Sequence, residues 1–180
     1  MAGASLICPG TVSRVSSVLN REAKQFGKKY MFDGNEETCW NSDQGSTQWL
    51  TLEFPQPVQV SRIQIQFQGG FSSRKCVVQG GRKGEGLLPV AEFYPEDTNS
   101  LQISFFTFSN SSEPSGFPPN LSANPTGANV FFPSFFLNHS FYTFPLGEVQ
   151  LEKLKITFEN STDFFGRIVI YQLDVLGEKL

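Results

Sequence analysis

Positive charge, histidine and long apolar runs are all scarce in this chain of 180 residues. It has 14 Lys and Arg against 17 Asp and Glu, for a formal net charge of −3 at pH 7. Because affinity for nucleic acids depends largely on counterion release by Lys and Arg, this balance argues against direct nucleic-acid binding. No stretch approaches the roughly 18 apolar residues of a membrane span, and residues 1–10 lack the pattern of a signal peptide. We therefore expect no contact with membranes and a location inside the cell.

Groups for nucleophilic catalysis are also nearly absent. The single histidine, His139, has no serine or cysteine partner in its sequence context, which disfavours Ser/His/Asp and Cys/His mechanisms. Cys8, Cys39 and Cys76 are odd in number and widely spaced, a pattern that disfavours a zinc site or a disulfide framework. We interpret them as buried, reduced thiols. The sequence thus predicts a binding module without a cofactor, and not an enzyme.

Short strand patterns, by contrast, are abundant. Apolar and polar residues alternate over 58–67, and Pro55 and Pro57 before this run predict a turn, because proline cannot continue a hydrogen-bonded ladder. Further strands are predicted at residues 49–54, 76–79, 88–93, 151–158 and 167–176. Helical periodicity is limited to about one turn within residues 15–25. Many short strands without alternating helices predict an all-β sandwich or barrel, whose first and last elements pair and so hide its edges.

Residues 103–142 depart from this pattern. They contain 9 of the 19 Phe in the chain and one charged residue, Glu113. A connection of this length is uncommon inside a compact domain and calls for an explanation. Either it is an insertion that covers an apolar surface or binds a partner, or it is translated intron, since a pyrimidine-rich tract encodes Phe, Ser, Pro and Leu. We favour the second interpretation, and predict a single domain over 1–180 with a disordered or spurious insert at 103–142.

The loop that precedes the first clear strand has a recognisable pattern. Asp33, Gly34, Thr38, Trp40 and Ser42 follow the order D-G-x-x-x-T-x-W-x-S, and the loop resembles the opening of discoidin-like, or galactose-binding-like, domains. Gly34 permits a tight turn, and Trp40 is large enough to fix the loop to a core. The resemblance implies a discoidin-like jelly-roll β-sandwich.

Longer stretches narrow the resemblance. They include residues 12–21, 37–45, 66–73, 93–97 and 163–171. Together they are similar to the family of testicular orphan nuclear receptor-associated proteins, over residues 6–102 and 143–180. The resemblance implies a nuclear, and also cytoplasmic, protein that binds an orphan nuclear receptor and represses its transactivation by hindering its binding to DNA response elements. A mildly acidic module could occlude a basic DNA-binding domain by complementary charge.

Two other functions remain open at this point. Relatives of the discoidin-like fold bind carbohydrates, so the chain could be a lectin-like module. Intracellular relatives of the fold serve as docking modules, so it could also be a subunit of a ubiquitin-ligase or ciliary transport complex. Because fold does not fix function, the receptor assignment depends on the resemblance.

Two loops carry the candidate partner-binding residues. Ligands of this fold enter through loops at one end of the sandwich, and the loops richest in aromatic residues and arginine supply Gln68, Phe71, Arg74, Phe164, Phe165 and Arg167. Exposed aromatic residues beside arginine are typical of anchors in protein interfaces. The alternative is that the phenylalanine rings only cap the core.

A weak calcium site at Asp33 and Thr38 is the candidate metal site. Carbohydrate-binding relatives of this fold are expected to use the corresponding loop together with a carboxylate from the last strand. In this chain that position falls on Gln172, which carries no charge. Because calcium requires several oxygen ligands and carboxylates dominate its affinity, we expect the missing carboxylate to cost much of the binding.

Overall fold

The computed structural model describes residues 3–105, 142–143 and 150–180, and these ranges form an almost purely β structure. Its strands are β1 (Ala4–Ser5), β2 (Val12–Val15), β3 (Trp40–Asn41), β4 (Thr47–Phe67), β5 (Ser73–Gly81), β6 (Leu88–Phe93), β7 (Leu101–Phe105), β8 (Tyr142–Thr143), β9 (Leu151–Ser161) and β10 (Val169–Lys179). Its helical segments are one α-helical turn, α1 (Ala23–Phe26), and two 3₁₀ turns at Leu19–Arg21 and Lys28–Met31. The predicted strands are confirmed, as is the near absence of helix. No helix among the described residues is long and apolar enough to cross a membrane.

Strand β4 joins two layers of antiparallel strands. Its first half pairs with β2 and β9, and the layer continues from β9 through β5 to β6. Its second half pairs with β10 and β7, and β10 also pairs with β1 and β3. The pairing of β1 with β10 confirms that the first and last strands are neighbours.

The chain passes from one layer to the other at Pro55 and Pro57. The ladder of β4 with β9 is interrupted there, as expected for residues that have no amide hydrogen to donate. The backbone stays extended, however, so the predicted turn is a bend within one continuous strand. Beyond the bend β4 returns to the end where it began, because the ring of Phe67 lies 6.1 Å from that of Phe158, the ladder partner of Gln48.

The core between the layers is built from alternate residues of the strands. In β4 the essentially fully buried side chains include Leu50, Leu52, Ile63, Ile65 and Phe67. Successive residues of a strand point to opposite faces, so this spacing of two places both halves of β4 against the same core. Burying each such side chain contributes about 1.5–3 kcal/mol relative to leaving it exposed.

Trp40 attaches the N-terminal turns to this core. Its side chain is fully buried, and its ring lies 6.0 Å from the ring of Phe158. The indole Nε1 donates a hydrogen bond to the carbonyl oxygen of Ser17 at 2.9 Å, which satisfies the one polar atom of the ring. The predicted role of Trp40 as the residue that fixes its loop to the sandwich is confirmed.

The cysteines differ in part from the expectation of complete burial. Cys76 is buried on the core side of β5, and burial raises the pKa of its thiol far above the usual range. Cys8 and Cys39 are half-buried, because they lie in loops that precede β2 and β3, so the prediction is wrong for these two. All three cysteines are free.

The predicted insert at 103–142 lies mostly outside the described residues. Ile103 and Ser104 belong to β7 and pair with β4, and Tyr142 belongs to β8 and pairs with β6. Residues 106–141, which include His139, are outside the described ranges. The choice between a genuine insertion and translated intron therefore stays a prediction.

We expect Trp40→Phe to lower the free energy of unfolding by about 1–3 kcal/mol. The smaller ring leaves space beside Phe158 and removes the donor to the Ser17 carbonyl. Urea unfolding followed by circular dichroism measures the difference. Leu88→Ala is the control, because Leu88 is 59% exposed on β6, and we expect it to change stability by less than about 0.5 kcal/mol. An equal loss in the two variants would contradict the assigned role of Trp40.

Candidate partner-binding site

Three loops meet at the end of the sandwich where β4 both begins and finishes. They are the β3–β4 loop (42–46), the β4–β5 loop (68–72) and the β9–β10 loop (162–168). Main-chain hydrogen bonds join them: the Gly45 amide donates to the Phe165 carbonyl, and the Val169 amide donates to the Phe71 carbonyl, each at 3.1 Å. The relative positions of the loops are therefore fixed by backbone contacts as well as by side chains.

Gly166 permits the closest of these approaches. Its φ angle of 82° lies in the left-handed region that favours glycine. A Cβ atom at this position would lie 1.9 Å from the carbonyl oxygen of Gly45. A larger residue would therefore force the β9–β10 loop away from the β3–β4 loop.

Arg167 is held by a bidentate ion pair inside the β9–β10 loop. Its Nε and Nη2 atoms donate to Oδ2 and Oδ1 of Asp163, each at 3.0 Å. Asp163 Oδ2 also accepts hydrogen bonds from the amides of Phe165, at 3.2 Å, and Arg167, at 3.1 Å. Hydrogen bonding to Arg167 is the main cause that lowers the pKa of Asp163, and the same contact raises the pKa of Arg167. Both groups stay ionised near neutral pH, so a positive and a negative charge lie at contact distance and compensate each other.

Aromatic rings surround this ion pair. The guanidinium carbon of Arg167 lies 5.0 Å from the ring centroid of Phe71 and 5.8 Å from that of Phe165, within the range of cation–π attraction. Phe165 packs edge-on against Phe164, with 5.2 Å between ring centroids. Of the predicted site residues, the structure therefore brings Phe71, Phe164, Phe165 and Arg167 together, and we call these four the aromatic cluster.

The two phenylalanines at the outer side of the aromatic cluster are open to solvent. Phe164 is 94% exposed and Phe165 is 54% exposed, whereas Phe71 is half-buried. The alternative in which Phe164 caps the core is therefore wrong. A ring of this size that is presented on a fixed loop is available for contact with another molecule.

Gln68 and Arg74 make their side-chain interactions outside the aromatic cluster, although the Gln68 carbonyl accepts a hydrogen bond from the Phe71 amide at 3.0 Å. The Oε1 atom of Gln68 accepts a hydrogen bond from the hydroxyl of Tyr171 at 3.1 Å, so this amide supports the neighbouring strand β10. Arg74 is exposed at the start of β5 and acts electrostatically on Asp97, where it is a minor cause of a lowered pKa. Of the six predicted residues, the structure thus joins four through their side chains, and the side chains of the other two interact elsewhere at this end.

Asp97 is a structural residue of this end that the sequence reasoning missed. Its Oδ1 atom accepts hydrogen bonds from the Gly70 amide at 2.8 Å, the Ser72 hydroxyl at 2.6 Å and the Thr162 hydroxyl at 3.3 Å. The Ser72 hydrogen bond is the main cause that lowers the pKa of Asp97. Asp97 therefore ties the segment between β6 and β7 to the two loops that carry the aromatic cluster.

The side chains of the Asp33 loop have hydrogen-bond partners within the loop itself. Asp33 and Thr38 are brought together, but the Thr38 hydroxyl donates to Asp33 Oδ2 at 2.7 Å and the Asn35 amide donates to Oδ1 at 2.9 Å. Both carboxylate oxygens thus support the turn itself. Gln172 lines a cavity of about 150 Å³ beside Gly34 and adds no charge, whereas Asp174, which also lines it, accepts a hydrogen bond from the Ser5 hydroxyl at 2.7 Å. Within the described part of the chain, no group of three or more His, Cys, Asp or Glu residues could hold a metal ion.

Comparisons with known sequences identify close relatives. Residues 30–112 match a family model described as a NedA-like, galactose-binding domain. The chain is similar to the nuclear receptor 2C2-associated proteins of Mus musculus and Danio rerio, with 50% and 51% identity over 97% of this chain and 96% of each relative. The protein of the same name from Homo sapiens is 49% identical over 98% of both chains.

Comparisons with solved structures identify the fold. A family 32 carbohydrate-binding module of Clostridium perfringens NanJ, in complex with galactose, has a TM-score of 0.61 at 17% identity, over 97% of this chain and 98% of that one. Another carbohydrate-binding module from the same organism, in complex with a GalNAc-β-1,3-galactose ligand, has a TM-score of 0.62 at 14% identity, over 97% and 100%. At such identities the likeness shows the fold alone, and it confirms the predicted discoidin-like β-sandwich.

We expect Asp163→Asn to destabilise the protein by about 1 kcal/mol near neutral pH, because it removes the partner of Arg167. The pKa of Asp163 in the folded protein lies below its ordinary value of 3.8. Its ion pair therefore stabilises the fold above that value, and this contribution is lost as the pH falls through the folded-state pKa. Urea unfolding at about pH 7 and about pH 3 should show the difference from wild type shrinking in acid. Glu85→Gln, in the exposed β5–β6 hairpin, is the control. A difference that is constant with pH would contradict the assignment.

We expect calcium to leave the stability of the protein unchanged. Both oxygens of the Asp33 carboxylate already have protein donors, and Gln172 supplies no charge. Thermal unfolding in excess calcium chloride and in excess EGTA should give the same Tm, and Asp33→Ala should lower the Tm equally under both conditions. An increase in Tm with calcium that Asp33→Ala abolishes would establish a calcium site at this loop.

Proposed function

The chain belongs to the family of nuclear receptor 2C2-associated proteins, and on this premise we propose that it binds an orphan nuclear receptor in the nucleus, and also in the cytoplasm. The observation that carries the proposal is about 50% identity to proteins of that name over nearly the whole length of both chains. These relatives are named as associated proteins, and the fold is that of binding modules. We propose a binding role and not catalysis.

We propose the aromatic cluster as the surface that contacts the receptor. Phe164 and Phe165 are large, exposed and adjacent, and they lie beside Arg167. Aromatic residues and arginine are enriched among the few residues that dominate the energy of protein interfaces. Backbone hydrogen bonds from Gly45 and Val169 fix the two loops that carry the cluster. These loops therefore lose little conformational entropy when the protein binds its partner.

The proposed effect on the receptor is repression, through hindered binding to DNA. A protein of this size that is held against the DNA-binding region excludes the duplex by its volume. It does not need to contact DNA itself, and a net charge of −3 is in keeping with that. The contact with the receptor is then the step on which repression depends.

The lectin-like alternative receives no separate support. The carbohydrate complexes of the structural neighbours belong to proteins that are 14–17% identical to this chain. At that distance a shared fold does not transfer a ligand. We therefore do not propose carbohydrate binding as a second function.

We expect Phe164→Ala to weaken binding to the purified nuclear receptor 2C2 by about tenfold or more, as for other exposed aromatic anchors. Isothermal titration calorimetry measures the affinity, and circular dichroism verifies the fold. Leu88→Ala is the matched control, since Leu88 is also a large exposed side chain but lies at the opposite end of the β5–β6 ladder. A gel-shift assay should show that the wild-type protein and Leu88→Ala reduce receptor–DNA complexes and that Phe164→Ala does so poorly. Equal affinities of the two variants would contradict the proposed surface.

A further inference from the structure

The charges inside the aromatic cluster are matched within the protein. Arg167 donates two hydrogen bonds to Asp163, whose side chain is only 10% exposed, and the Arg167 side chain is 29% exposed. The cation is also covered on its flanks by the rings of Phe71 and Phe165. A partner that approaches this cluster therefore meets apolar rings and a neutralised ion pair, rather than a free cation.

Most charged groups around the cluster have an oppositely charged group nearby. Asp97 is exposed and keeps its negative charge, and the exposed cation that acts on it electrostatically is Arg74. Glu159, near the end of β9, lies 3.8 Å from the ammonium nitrogen of Lys75, which also contacts Glu92 at 3.1 Å. The formal charge of −3 for the whole chain is therefore a poor guide to what this end presents.

The outer part of the β9–β10 loop is rigidly built. The Ser161 hydroxyl donates to the Arg167 carbonyl at 2.6 Å, and the Asp163 amide donates to the Ser161 hydroxyl at 3.0 Å. The Gly166 amide donates to the Asp163 carbonyl at 3.0 Å, which closes the turn beneath Phe164 and Phe165. Two exposed rings on such a loop can enter a groove without first being ordered.

We infer that Phe164 and Phe165 insert into an uncharged, apolar groove on the partner protein, and that Asp163 is the positioning residue that keeps Arg167 neutralised at its rim. The inference rests on the proposed function, because it takes the receptor as the partner. In this inference the affinity comes from burial of aromatic surface, and not from attraction between complementary charges. Burial of apolar surface is only weakly sensitive to salt, whereas attraction between charged surfaces is screened.

The test is the salt dependence of receptor binding. We expect the Kd of the wild-type protein for purified nuclear receptor 2C2 to change by less than about threefold between about 50 and about 500 mM NaCl. Phe164→Leu, which keeps an apolar side chain, should retain most of the affinity, and Phe164→Ala should lose about tenfold or more at both salt concentrations. Binding that weakens by about tenfold or more in high salt would overturn the inference and leave the receptor assignment in place.

Variants of the ion pair distinguish positioning from general stability. Asp163→Asn leaves Arg167 as an unmatched cation, so we expect weaker binding that now varies with salt. The double variant Asp163→Asn with Arg167→Gln removes both charges and should restore the insensitivity to salt, even though it restores no stability from the ion pair. If the single and double variants show the same salt dependence, the positioning role of Asp163 is refuted.

Two further outcomes separate the alternatives. If the wild-type protein gives no binding heat with the receptor at any salt concentration, the proposed function fails and the inference falls with it. Co-sedimentation with vesicles of phosphatidylcholine and phosphatidylserine tests whether the exposed rings enter a lipid surface instead. Sedimentation of the wild-type protein that Phe164→Ala abolishes would overturn the protein groove as the occupant, and absence of sedimentation supports it.

Discussion

Strand β4 belongs to both layers of the sandwich, and this constraint determines where the other parts can lie. Because the strand bends at Pro55 and Pro57, its two ends return to the same side of the molecule, where the β3–β4 and β4–β5 loops project. The β9–β10 loop reaches this side as well, since β9 and β10 each pair with one half of β4. The loops that carry the aromatic cluster thus lie together because both layers share one strand. The close approach of Gly166 to Gly45 then fixes the β9–β10 loop against the β3–β4 loop.

Three aspartates show how this protein uses negative charge. Asp33, Asp97 and Asp163 each accept hydrogen bonds from main-chain amides or hydroxyls in their own or neighbouring loops. Carboxylates used in this way shape loops, and the hydrogen bonds that they accept favour their ionised form. In Asp33 and in Asp163, both carboxylate oxygens accept hydrogen bonds. A formal net charge describes the chain as a whole, whereas the charge near a site depends on which ion pairs lie there, as Asp163 and Arg167 show.

Local sequence patterns predicted the parts of the structure that depend on local physics. The alternation over 58–67, the proline interruption of β4 and the burial of Trp40 all follow from residues that are close in sequence. The contact between Asp163 and Arg167 could also have been predicted from the sequence. An aspartate four residues before an arginine, with a glycine between them, indicates a closed turn. Strands β1 to β3, β7 and β8 were not predicted, since two to five residues are too few to show a period. The contact of Gly166 with Gly45 and the hydrogen bonds of Asp97 join distant segments, so no local pattern could reveal them. Which of the candidate side chains meet in the aromatic cluster, and which interact elsewhere as those of Gln68 and Arg74 do, is equally a tertiary result.

The position of β10 has a consequence for how the molecule is made. This strand lies in the middle of its layer, between β4 on one side and β1 and β3 on the other, although it is the last of the described strands in chain order. During translation, the edges of β1, β3 and β4 that pair with β10 would remain unpaired until β10 has been synthesised. Closing contacts of such high sequence separation is slow, and open edges favour association with other chains during the delay. The half of the sandwich that holds Trp40 and the N-terminal turns can therefore reach its final form only after translation has passed Lys179.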